Sequence, residues 1–159
     1  MKENSLFLID TNILVYAYEK EKDIKNKKAK ELINKCWQNK INLIISNQNL
    51  AEFAFVATRK AKLDHTQIKV IINDIINFNG FKKINYSSNT ILSALNISNE
   101  FQISFWDSLL IATMKENNIF SLYTENVKDF KIPWLKVINP LIQTKKLPIN
   151  NSKAKESEI

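Results

Sequence analysis

The sequence predicts an α/β fold: a three-layer α/β/α sandwich on a mainly parallel sheet of about four to five strands. Three observations carry this expectation. Short apolar runs of strand length alternate with longer segments of helical periodicity, the order that covers a parallel sheet on both faces. The 159 residues suffice for one ordinary domain with its own core. The apolar fraction of 45% and charged fraction of 25% are those of a globular protein.

The elements follow in order. Residues 5–10 (SLFLID) read as a short buried strand, and residues 12–21 as a helix. Ala29, Leu32, Ile33 and Cys36 recur at i, i+3, i+4, i+7, the stripe of an amphipathic helix. Residues 41–46 (INLIIS) form a second strand, followed by a helix over about 48–61 with Leu50, Phe53, Ala54 and Ala57 inward. Asp64 to Gln67 form a capping box that opens a helix carrying Ile68, Ile71, Ile72, Ile75 and Ile76. Gly80 stands where that helix should stop, a place that commonly needs positive φ. Residues 81–84 are a third strand, and a helix over about 88–98 should turn Ile91, Leu92 and Leu95 inward. Ser104 to Asp107 repeat the capping-box pattern before a helix apolar nearly all round, hence central. Trp106, beside it, reads as core. Residues 120–124 and 135–138 complete the strands. The domain is expected to span 1–142, with 143–159 a polar, disordered tail.

Composition excludes several chemistries. A single Gly leaves no phosphate-binding glycine loop. A single His and a single Cys leave no ordinary zinc site and only His65 as base for a triad, in a helix-start signal that reads as surface. Any metal ligands must therefore be oxygens, which points to Mg²⁺ or Mn²⁺. No apolar run approaches the roughly 20 residues of a membrane span, and none suits a secretory leader, so a cytoplasmic protein is expected. The net charge of +7 favours a polyanionic partner.

Three carboxylates stand alone in apolar sequence. Asp10 is the only charged residue between Glu3 and Glu19, Glu52 between Lys40 and Arg59, and Asp107 between Glu100 and Lys115. Each has a plain alternative: Asp10 or Thr11 as a helix N-cap, Asp107 as third residue of its capping box, Glu52 at a rim. One metal site explains all three together. Asp10 closes the first strand and Glu52 follows the second, so both fall at the carboxyl edge of a parallel sheet, where ligands bind. Asp107 joins them if its helix starts there.

The set Asp10-Thr11-Asn12, Glu52 within Asn49 to Phe53, Phe105 to Ala112 and Leu122 to Asn126 resembles the PIN-domain family over roughly residues 5–140. It is most similar to the toxin branch, the VapC-like ribonucleases of toxin–antitoxin pairs. The resemblance implies a metal-dependent endoribonuclease with Asp10, Glu52 and Asp107 as catalytic, metal-holding acids, Thr11 and Asn12 as accessories, an RNA substrate, an antitoxin partner and a homodimer. It also implies a fourth acid where this chain has Asn126; Glu125 and Asp129 flank that position as possible substitutes. The departure leaves open a weakened PIN module that binds RNA or protein without cutting, and a metal-dependent DNase is a further alternative. Arg59, the lysines of 20–30, Trp37 and Trp134 are assigned no catalytic role.

Overall fold

The computed structural model describes residues 6–20 and 22–142. The expected disordered tail from 143 onward lies outside the described residues. The elements run β1 (Phe7–Ile9), α1 (Thr11–Tyr18), α2 (Ile24–Trp37), β2 (Leu43–Ser46), α3 (Asn47–Ala57), α4 (His65–Asn77), β3 (Phe81–Ile84), α5 (Ser88–Phe101), α6 (Phe105–Glu116), β4 (Ser121–Tyr123), a 3₁₀ turn (Val127–Asp129) and β5 (Lys136–Ile138). The five strands pair in parallel in the order β3-β2-β1-β4-β5.

The three layers follow from the two-residue period of the strands, which sends neighbouring side chains to opposite faces. Ile9, Leu43, Ile45 and Phe81 pack on one face against Ile13, Leu14, Ile33, Phe53 and Ile75 of the first four helices. Leu8, Ile44, Ile84 and Leu122 pack on the other against Ala94, Leu109, Ile111 and Met114 of α5 and α6. As expected of a central helix, α6 is buried without interruption from Ser108 to Met114. Cys36 is buried, and Lys82 and Lys83 of the edge strand β3 are exposed, which discourages further strand pairing. Among the described residues no helix is long and apolar enough to cross a membrane.

Four local expectations are corrected. Ile91, Leu92 and Leu95 face outward, the last two 61% and 52% exposed, and α5 buries Thr90, Ala94 and Ile97 instead. Small inner residues suit α5, because it packs on the buried helix α6 and Thr90 donates a 2.6 Å hydrogen bond to Glu116 at the end of α6. Trp106 is 61% exposed rather than core. Ile76 is likewise exposed, while Ile68 and Ile75 carry the inner face of α4. Gly80 does not have positive φ. The helix before it already ends at Asn77, and a Cβ at position 80 would strike the Phe78 ring, which would have to shift to make room.

Candidate functional site

Strand β1 lies between β2 and β4, so the chain leaves it in one direction and returns on its other side. That is the topological switch point, where an open α/β sheet leaves a crevice beyond the carboxyl ends of its strands. A cavity of about 290 Å³ occupies it, and Asp10, Glu52, Asp107 and Asn126 all line it, with Thr11 and Asn12 beside them.

Each acid is held by its local structure. Asp10 caps α1: its Oδ1 accepts from the Thr11 backbone N–H at 2.7 Å, and its Oδ2 accepts from the Thr124 hydroxyl at 2.7 Å. Asp10 thus caps α1 and lines the cavity at once. Glu52 lies one turn into α3, a helix opened by a reciprocal capping box between Ser46 and Asn49. Its Oε2 accepts from the Thr11 hydroxyl at 2.6 Å, and that hydroxyl accepts from Asn49 Nδ2 at 3.1 Å. Its Oε1 accepts from Gln48 Nε2 at 2.9 Å; the same amide donates to the Trp106 carbonyl at 3.0 Å, fastening α3 to the start of α6. Asp107 sits in the first turn of α6, where Ser104 Oγ accepts from its backbone N–H at 3.1 Å and donates to its Oδ2 at 2.7 Å.

The electrostatics reflect acids crowded into a part-buried cleft. Burial above all, reinforced by the charges of Glu52 and Asp107, raises Asp10 from 3.8 to about 6 despite its two hydrogen bonds. Burial, with the charges of Asp129 and Glu52, also raises Asp107. Both shifts express a cost of negative charge that a cation would remove. The donors are hard oxygens, the type that Mg²⁺ and Mn²⁺ prefer. One oxygen is unspent, because Asn12 Oδ1 is buried beside the cavity without a hydrogen-bond partner among the described residues. The donor chemistry therefore fits a hard divalent cation. Among the described residues no three acid, imidazole or thiol side chains stand close enough to ligate one ion as placed. The carboxylates converge on the cavity without closing into a chelate.

The three residues named for the fourth position separate. Asn126 lines the cavity. Glu125 does not. Its carboxylate is taken by the Lys25 ammonium and by the Tyr16 hydroxyl at 2.6 Å. Burial pushes Glu125 up, but these two donors outweigh it and hold the group below the ordinary range. Asp129 borders a neighbouring cleft that shares Asp107 with the cavity.

Other functional neighbours escaped the sequence reading. Lys60 lines the cavity, whereas Arg59 stacks its guanidinium over the Phe55 ring at 4.9 Å. The signal for Lys60 was present, since the helix expected over about 48–61 spaces Glu52, Val56 and Lys60 at i, i+4, i+8, although α3 itself ends at Ala57. The hydrogen bonds that tie Thr124 to Asp10 and Gln48 to the Trp106 carbonyl had none, because they span 114 and 58 residues.

The family model of the PIN domain matches residues 7–131. Among solved structures, the chain is similar to a toxin–antitoxin complex from Klebsiella pneumoniae, at 23% identity and TM-score 0.60 over 84% of this chain and 97% of that one. It is similar to VapBC2 from Rickettsia felis, bound to a DNA fragment from its promoter, at 22% identity and TM-score 0.60 over 84% and 98%. It is also similar to VapC20 from Mycobacterium tuberculosis, described as a sarcin–ricin loop cleaving toxin, at 20% identity and TM-score 0.58 over 76% and 89%. No curated protein sequence matches the chain.

Proposed function

We propose, from the premise that this chain belongs to the PIN-domain family, that it is a metal-dependent endoribonuclease and the toxin of a toxin–antitoxin pair. The single observation that carries the reading is the meeting of Asp10, Glu52 and Asp107, from three separate elements, in one cavity at the sheet's switch point. The descriptions of the similar structures as toxins or toxin–antitoxin complexes support the biological setting and an antitoxin partner. A cytoplasmic homodimer accords with the same reading.

Asp10, Glu52 and Asp107 would hold Mg²⁺ or Mn²⁺, with Asn126 and Asn12 offering uncharged oxygens at the rim. A bound divalent cation supplies charge neutralisation at the scissile phosphate and activation of the attacking water. Thr11 works through Glu52: its hydroxyl, itself held by Asn49, fixes the orientation of that carboxylate. Thr124 does the same for Asp10. One oxygen of these carboxylates is suited to take the proton that hydrolysis releases. Lys60 brings the cavity a positive charge for the phosphate, and the first turn of α6 adds a favourable dipole.

A second reading has its own observation. Asn126 in the fourth position, together with carboxylates that do not close into a chelate, favours a PIN module that binds RNA weakly or silently. Cleavage of single-stranded RNA by the purified protein separates the two. Turnover with Mg²⁺ or Mn²⁺ that EDTA stops and Asp107→Asn abolishes supports the nuclease. Binding with no turnover in either metal supports the silent module. Competition by single-stranded DNA tests the choice of RNA.

A further inference from the structure

We propose that the cleft on the far side of Asp107 is a nucleotide subsite, which holds the nucleotide next to the scissile phosphate of a single-stranded RNA. The substrate class rests on the nuclease reading; the subsite rests on the cleft itself. It measures about 450 Å³ and adjoins the acidic cavity at Asp107, which lines both. A ligand pocket of a few hundred Å³ is of the size that small molecules fill.

The lining has the two characters a nucleotide needs. Phe101 and Ile103 are half-buried and present apolar surface for a base or ribose. Lys128 and Lys131 are exposed at its border, and neither makes an ion pair among the described residues. Their ammonium groups are therefore available to a phosphate. Lys60, also without an ion pair among the described residues, stands on the other side of Asp107, in the acidic cavity. A strand laid through both spaces has a lysine for a phosphate on each side of the acids. Lys128 and Lys131 are balanced by Asp107 and Asp129, so the cleft is neutral overall. It takes a nucleotide through particular contacts rather than by gathering any polyanion, and the Asp129 carboxylate works against the phosphate.

The test is the binding of a labelled single-stranded RNA of about eight nucleotides, measured by fluorescence anisotropy in EDTA over a range of KCl. Lys128→Ala/Lys131→Ala is compared with Lys35→Ala/Lys40→Ala, an equal charge change at exposed positions before β2, at the opposite edge of the sheet. The first pair should weaken binding about 10-fold and lower the salt slope by about 0.7 for each phosphate that no longer meets a lysine. The control pair should change neither beyond about 2-fold, the size of nonspecific charge loss. Asp129→Asn should tighten binding. The subsite is overturned if both pairs weaken binding alike, if neither does, or if the wild type binds no RNA at low salt. Cleavage in Mg²⁺ is scored separately. A lysine-specific binding loss in a protein that never cuts RNA would retain the subsite and sink the nuclease reading. Cleavage with no lysine-specific effect would do the reverse.

Discussion

Replacing Asp10 by Asn should stabilise the metal-free protein at neutral pH while removing its activity. The magnitude comes from the buried carboxyl, which rises from 3.8 to about 6 in the folded chain. At about 1.4 kcal/mol per pH unit, that gap is a penalty of about 3 kcal/mol at pH 7. The sign is that of an acid whose folded pKa lies above its unfolded one. The penalty is absent below pH 3.8, grows as pH rises towards about 6, and is complete above it. Asparagine has no such penalty and keeps the shape. Its Oδ1 still accepts from the Thr11 N–H, and the Thr124 hydroxyl can turn to accept from its Nδ2. The assay is urea unfolding of both proteins in EDTA at several pH values between 4 and 7. Asp10→Asn should be more stable at pH 7, by up to about 3 kcal/mol, with the gap closing as pH falls towards 4. Added Mg²⁺ should stabilise the wild type more than the variant, since an ion that binds only the folded state raises stability by mass action. A variant less stable at pH 7, or a gap independent of pH, would refute the reasoning that Asp10 is a carboxylate in want of a cation.

Three further predictions concern the site's surroundings. Asn126→Asp should lower the Mg²⁺ concentration needed for half-maximal cleavage, because it adds charge to a residue already lining the cavity, whereas Glu125→Ala should leave it unchanged, its carboxylate being held by Lys25 and Tyr16; metal titration of the two variants reverses the assignment if Glu125→Ala is the damaging change. Thr11→Val removes the hydroxyl that joins Asn49 to Glu52 and strands a buried amide donor, so thermal unfolding should show a loss of about 1–3 kcal/mol; an unchanged melting temperature would show that the network contributes no stability. Deleting residues 145–159, a polar stretch without apolar periodicity, should leave the melting temperature nearly unchanged, and a clear drop would place the domain boundary further along the chain.

The sheet and the acids were legible for one reason: a charge in an otherwise apolar run is conspicuous. Asp10, Glu52 and Asp107 each interrupt core-forming sequence, and the alternation of strands and helices brings the first two to one edge. Legibility failed where two solutions shared a pattern. Helix α5 carries two stripes of helical period, one large (Ile91, Leu92, Leu95) and one small (Thr90, Ala94, Ile97). Hydrophobicity selects the large stripe, but packing against α6 selects the small one, and only the fold reveals that neighbour. Trp106 failed similarly, since an aromatic beside a buried helix reads as core although the start of α6 lies at the surface. The supporting polar network was invisible for a different reason. The bonds from Gln48 to the Trp106 carbonyl and from Thr124 to Asp10 join residues distant in sequence, which only the fold brings together.

Whether the acidic cavity holds a divalent ion underlies the entire functional reading, and a Mn²⁺ titration followed by electron paramagnetic resonance measures it without any substrate. The wild type should bind Mn²⁺ at one or two sites per chain, with EDTA reversing the binding. Asp10→Asn and Asp107→Asn should each weaken it by about 10-fold or more, while Lys35→Ala, at the other edge of the sheet, should bind like the wild type. Equal Mn²⁺ binding by the wild type and both acid variants, or none by the wild type, would contradict the assignment of Asp10, Glu52 and Asp107 as a metal centre.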